Sequence, residues 1–371
     1  MPMPRSTDHK QGVLLLDTRQ HTPDHEHSVH LKLAERLAQL LHTQVVAPEA
    51  SPSAHDNLYY LPTETLIDPA RYQEMGIVSD KDLFGGMVAR PYMATKAISH
   101  PLPANARYPL GWTDDFARQA SDALLRGYTV FSLADARSAA ALLLRDGPLR
   151  IKPVRATAGR GQTVVTSMAQ VENALCNLDE KALSLWGLTL EENLTQVQTY
   201  SVGQALVAGI LCSYYGTQQL TRDHDGEEIY GGSDLVVVRG NYDNLLQLEL
   251  EDPLRLAITQ ARLYEQAALQ NFPGFFASRR NYDVARGLNH EDKARSGVLE
   301  QSWRIGGASS AEVLALQAFA ADPALSRIRA STHEVFEAPK LPDDAIIFYQ
   351  GDDRELGRIC KYARLRDYDH P

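Results

Sequence analysis

The apolar positions of this chain change their period several times, and each change marks an element. GVLLLDTR (12–19) is a short continuous apolar run and reads as a buried strand. HSVHLKLAERLAQLL (27–41) carries apolar residues at helical spacing, TQVVAP (43–48) reads as the next strand, and DNLYYLPTETL (56–66) adds another. Strand, helix, strand predicts a small parallel, Rossmann-like α/β unit. No GxGxxG follows its first strand, so a dinucleotide is not its expected ligand. A proline-rich loop (99–113) follows. FARQASDALLRG (116–127) then predicts a helix with Gly127 as C-cap. YTVFS predicts a strand. SLADARSAAALLLRDG (132–147) predicts an Ala/Leu-rich helix, and SMAQVENALCNL (167–178) predicts a helix with a serine at its start. From 187 to 240 the alternation is largely of period two. DPLRLAITQARLYEQAALQN (252–271) returns to helical spacing, and SSAEVLALQAFAADP (309–323) predicts a helix started by Ser309 or Ser310. The last forty residues read as an extension packed on the rest.

Composition narrows the class. The 371 residues are 44% hydrophobic and 23% charged, ordinary for a globular protein of two or three domains. A net charge of −10 argues against binding nucleic acid by phosphate neutralisation. Cys176, Cys212 and Cys360 are far apart and form no CxxC, so neither zinc nor a disulfide framework is expected, and a reducing cytoplasm fits. MPMPRSTDHKQG has no apolar core of a signal peptide, and its dozen residues are expected to be disordered. No run reaches the about 18 apolar residues of a membrane span.

Two stretches carry candidate chemistry. NYDVARG (281–287) and SGVLEQSWR (296–304) read as strands joined by a polar turn. Paired as a hairpin, they aim Asp283 and Glu300 at one point, and two hard oxygen ligands suit Mg²⁺ or Mn²⁺ beside phosphates. The alternative is an ion-pair network with Arg279, Arg280, Arg286 and Arg304. Earlier, GPLRIKPVRATAGRGQTVV (147–165) places Lys152 on a strand before a glycine-containing turn that can lay backbone N–H groups over phosphates. A lone strand lysine more often snorkels to solvent.

Together these residues resemble the ATP-grasp superfamily, over residues 93–312. The Glu-x-Asn-x-Arg motif of that superfamily matches Glu300-Gln301-Ser302-Trp303-Arg304, with Ser302 where asparagine is usual. The resemblance implies an N-terminal Rossmann-like unit (1–92), a small lobe (93–190), a large lobe (191–312) and a C-terminal extension (313–371). It implies Mg-ATP held by Lys96, Lys152, Gly159, Gly161, Glu191, Glu192 and Leu194. Asp283, Glu300 and Ser302 become metal ligands, and Arg304 and Lys152 catalytic. The implied reaction activates a small carboxylate as an acyl phosphate for an amine or other nucleophile, with a homodimer possible. A carboxylase, a kinase-like phosphotransferase and a catalytically silent nucleotide-binding module remain alternatives. The whole chain also resembles bacterial proteins described as biotin carboxylase-like, which implies no substrate.

Other residues read more plainly. Adjacent Glu191 and Glu192 face opposite ways in a strand. Trp303 is expected in the core. Arg279 and Arg280 are candidates to clamp a substrate carboxylate. His21, His25, His27 and His30 cluster at a helix entry without the spacing of a zinc site.

Overall fold

The long alternating runs of the second half of the chain become strands of one large sheet. The computed structural model describes residues 9–19, 21–47, 56–155, 161–222, 226, 228–336, 340–354 and 356–368. Its strands are β1 Val13–Leu16, β2 Tyr59–Pro62, β3 Leu66–Ile67, β4 Gly86–Val88, β5 Gly127–Val130, β6 Leu149–Pro153, β7 Thr163–Val165, β8 Leu188–Glu192, β9 Thr195–Val207, β10 Ile210–Arg222, β11 Glu228–Arg239, β12 Phe276–Ala277, β13 Arg279–Leu288, β14 Ala294–Ser302, β15 Arg327–Val335, β16 Ile346–Asp353 and β17 Gly357–Arg366. The helices are α1 Asp24–Leu40, α2 Pro69–Gln73, α3 Asp115–Gln119, α4 Leu133–Leu143, α5 Met168–Leu175, α6 Glu180–Trp186, α7 Tyr242–Leu246, α8 Asp252–Asn271 and α9 Ser309–Ala321.

The fold is mixed α/β with several sheets. The large sheet runs β14-β13-β9-β10-β11-β15-β17-β16, and a smaller one runs β5-β8-β6-β7. The C-terminal segment is thus continuous with the large sheet, because β15 pairs antiparallel with β11. On one face of that sheet lies α9, buried from Ser309 to Leu316 and packed between the sheet and α1. Leu33 and Leu37 of α1 are fully buried there, each contributing about 2 kcal/mol. Against the other face packs α8. The small sheet keeps its own core beneath α4 and α5. Ser132 and Ser167 cap these two helices by accepting from Asp135 and Gln170 N–H, the second at the serine start its sequence predicts.

The N-terminal expectation is met in part. β1 and β2 pair parallel around α1, but TQVVAP yields only a single bridge at Val45, so no broad Rossmann-like sheet forms among the described residues. The stretch before Gly127 is not one helix. It breaks into α3 and a short 3-10 turn, and Gly127 opens β5. A Cβ there would lie 2.5 Å from the Leu190 carbonyl oxygen and 2.9 Å from the His100 ring, so the glycine serves close packing rather than a cap. Neither Ser309 nor Ser310 caps α9: the N-cap position is Ala308, while Ser309 Oγ accepts from Gly306 N–H at 3.1 Å. The first eight residues, part of the expected N-terminal disorder, lie outside the described residues. No helix among the described residues is long and apolar enough to cross a membrane.

Candidate active site

The β13–β14 hairpin sets the site. Antiparallel pairing puts Asp283 opposite Glu300 and Asn281 opposite Ser302. Alternation along each strand places all four side chains on one face. That face lines a cleft of about 570 Å³, which Lys96 and Arg304 also line. A bulge follows Asp283 and leaves Leu299 without a partner on β13.

Among the described residues no arginine forms an ion pair with Asp283. Gln218 Nε2 donates to its Oδ1 at 3.1 Å, and the Asn281 amide stands equally close. Burial and the facing Glu300 carboxylate push Asp283 up to about 6. Glu300 forms an ion pair with Lys96, which is buried on the 3-10 turn Lys96–Ser99. That turn is tied to β14 by Gln301 Nε2, which donates to the Thr95 carbonyl at 2.6 Å. Arg304 donates Nη1 to the Ile305 carbonyl at 2.9 Å and has no carboxylate partner among the described residues. Burial, and then Arg19, lower its pKa. Among the described residues, then, Asp283 and Glu300 form no ion-pair network with neighbouring arginines.

Lys152 is held deeper, at 2% exposure, between the two sheets. Its Nζ donates to Glu191 Oε1 at 2.9 Å and to the Leu299 carbonyl at 3.2 Å, the carbonyl at the bulge. Glu191 Oε2 lies 3.2 Å from His100 Nε2. Burial opposes the Glu191 charge, yet Lys152 and His100 bring its pKa down to about 2. The opposite orientation of the adjacent pair is observed: Glu192 turns outward to Arg295 and the Arg126 N–H, away from the cleft. Leu194 is buried at the link between β8 and β9. Gly161 adopts a left-handed φ of 68°, suited to a tight turn. Gly159, with Ala158 and Arg160, lies outside the described residues.

The Lys152–Glu191 pair makes a prediction of its own. Lys152→Met strands a buried carboxylate and should lower the nucleotide-free stability at pH 7 by about 3 kcal/mol in urea titrations. The depressed Glu191 pKa stabilises the native wild type above the ordinary value of 4.5 and ceases to as pH falls toward 2. The variant can instead neutralise Glu191 with a proton, so the gap between the two proteins should narrow as pH is lowered from about 7 to about 4.

Arg279 and Arg280 present no free fork. Arg279 is 1% exposed, with Nε and Nη2 on Glu312 and Nη1 on Ser302 O, Ser302 Oγ and Arg304 O. Arg280 points to the other face, 3.3 Å from Glu265. Trp303 is core, 1% exposed and against Phe275. His25 and His30 are buried on α1, and no group of three His, Cys, Asp or Glu among the described residues is placed to hold a metal. Burial holds His30 down to about 4 and hence neutral. Sequence reasoning missed His100, Gln218 and Asn281. Only Asn281 left a signal, two positions before Asp283 on the same face.

A family model described as "Protein of unknown function (DUF3182)" matches residues 13–363. The chain belongs to the DUF3182 family. Among solved structures, this DUF3182 chain is similar to D-alanyl-alanine synthetase A from Vibrio cholerae O1 biovar eltor, at 16% identity and a TM-score of 0.43, over 80% of this chain and 89% of that one. It is also similar to D-cycloserine synthetase DcsG, at 10% identity and a TM-score of 0.43, over 84% and 99% of the two chains. No curated protein sequence matches it.

Proposed function

We propose that this protein is an ATP- and Mg²⁺-dependent ligase of the ATP-grasp type, which activates a small carboxylate as an acyl phosphate and passes it to an amine or other nucleophile. The observation that carries this reading is the facing Asp283–Glu300 pair. Two carboxylates directly opposite on adjacent strands repel each other, and no arginine among the described residues forms an ion pair with Asp283. Such a pair suits a hard divalent cation. Asp283 and Glu300 would hold Mg²⁺ there, and the ion would supply positive charge to offset the phosphates of the nucleotide.

The chain's own residues supply the rest. Arg304, with no carboxylate in an ion pair with it among the described residues, is the group to hold the incoming carboxylate or the transferring phosphoryl group. Lys96 lines the cleft and Lys152 is buried between Glu191 and the Leu299 carbonyl; both add charge toward phosphates, once each exchanges its carboxylate partner for the nucleotide. A second reading, a nucleotide-binding module without turnover, is favoured by one observation: both lysines are already engaged by Glu300 and Glu191.

MgATP at a hundred times its Kd should stabilise the protein by about 2.7 kcal/mol, visible as a raised melting temperature. No shift at millimolar MgATP would sink the nucleotide reading. Phosphate release stimulated by an amino acid or small carboxylate separates a ligase from a silent module.

A further inference from the structure

We infer that Arg155 is the cation that meets the phosphates of the nucleotide from the small-sheet side of the cleft, and that Trp186 positions it. The inference rests on the nucleotide reading above, and its warrant is an account of which positive charges in the cleft are free.

Six lysine and arginine side chains line the cleft. Four are held by glutamates: Arg19 by Glu26, Lys96 by Glu300, Arg279 by Glu312 and Lys361 by Glu334. Each of these must give up a carboxylate before it can turn to a ligand, and the abandoned acid then lacks its counter-charge. The other two, Arg304 and Arg155, form no ion pair with any described residue. Arg304 belongs to the large-sheet side, just past the end of β14. Arg155 belongs to the small-sheet side, just past the end of β6 and three residues after Lys152.

Arg155 is exposed, yet it is not a loose surface arginine. Its guanidinium lies over the indole ring of Trp186, 4.7 Å from the ring centre. Trp186 is the last residue of α6 and packs against the same core as α8, so the ring is a fixed platform. A planar guanidinium can rest one face on a ring and keep the N–H groups of its edge free, and that edge matches the oxygens of a phosphate two at a time. An ammonium has neither the face nor the fork. On the nucleotide reading the phosphates lie beside Asp283 and Glu300, in the cleft that Arg155 also lines. Lys152, on the strand that leads to Arg155, is buried and engaged with Glu191. Arg155 can therefore contact phosphates without breaking an ion pair, and Lys152 cannot.

The test is calorimetric titration of the full chain with MgATP and, separately, with AMP. Arg155→Met should weaken MgATP binding by about tenfold or more, the size of a lost hydrogen bond to a charged group. AMP, which lacks the two outer phosphates, should lose less than about threefold. Because the side chain is exposed, the variant should melt with the wild type when no nucleotide is present. Arg155→Lys keeps the charge but not the stack or the fork, and should recover only part of the loss. Trp186→Leu should weaken MgATP binding by about threefold or more with Arg155 in place, and Trp186→Phe, which keeps a ring to stack on, should stay within about twofold of wild type. MgATP affinity in Arg155→Met within about twofold of wild type, or an equal loss for AMP, overturns the inference and leaves the nucleotide reading standing. Trp186→Phe no better than Trp186→Leu overturns the positioning role of the ring. No MgATP binding by the wild type at millimolar concentration overturns both the inference and the reading beneath it.

Discussion

Glu300→Gln should lower turnover by about a thousandfold while weakening nucleotide binding far less. The amide keeps the shape of the carboxylate but removes the charge a divalent cation needs, and that charge matters most as the γ-phosphoryl group departs. The structure supplies the control. Glu300 also pairs with buried Lys96, so part of any loss comes from a stranded ammonium. Lys96→Met with Glu300 intact separates the two effects. If Glu300 serves only as the partner of Lys96, the two variants should bind Mn²⁺ equally well. On the proposed reading Glu300→Gln loses the cation and Lys96→Met keeps it. Chromatography of the nucleotide products gives the second readout. ADP with phosphate fits an acyl phosphate, whereas AMP, or full activity in Glu300→Gln, would overturn the mechanism.

What could be read in advance follows from which interactions are local. The Asp283–Glu300 hairpin was legible because alternation and a polar turn together fix its register. The serine start of α5 was legible because a cap acts within three residues. The opposite orientation of Glu191 and Glu192 follows from a period of two, but which of them turns inward depends on Lys152 and His100, each distant in sequence. His100 carries no pattern at all. Gly127 misled because a glycine after a helical stretch resembles a cap, whereas its reason here is a ring and a carbonyl packed against its Cα. The joining of β15, β16 and β17 to the large sheet was not legible, since β15 pairs with a strand about ninety residues earlier. Arg279 is the clearest case of a residue whose charge suggested substrate and whose burial assigns it to the frame.

Arg279→Met should be among the most destabilising single changes in the protein, at about 3–5 kcal/mol in urea unfolding. It leaves the Glu312 carboxylate fully buried with, among the described residues, only the Tyr214 hydroxyl bonded to it. Adding Glu312→Leu removes the stranded charge and should recover much of the loss, because a buried ion pair can often be replaced by well-packed apolar groups. Recovery should stop short of wild type. Arg279 Nη1 also holds the Ser302 and Arg304 carbonyl oxygens at 3.1 and 2.7 Å, and no leucine replaces those bonds. At about 1 kcal/mol each, they should leave the double variant about 2 kcal/mol below wild type. The same bonds fix the chain where β14 ends and Arg304 turns into the cleft. The double variant should therefore fold yet bind Mn²⁺ and MgATP more weakly than wild type. Complete recovery of stability with undiminished Mn²⁺ binding would show that Arg279 supports α9 alone and does nothing to position the site.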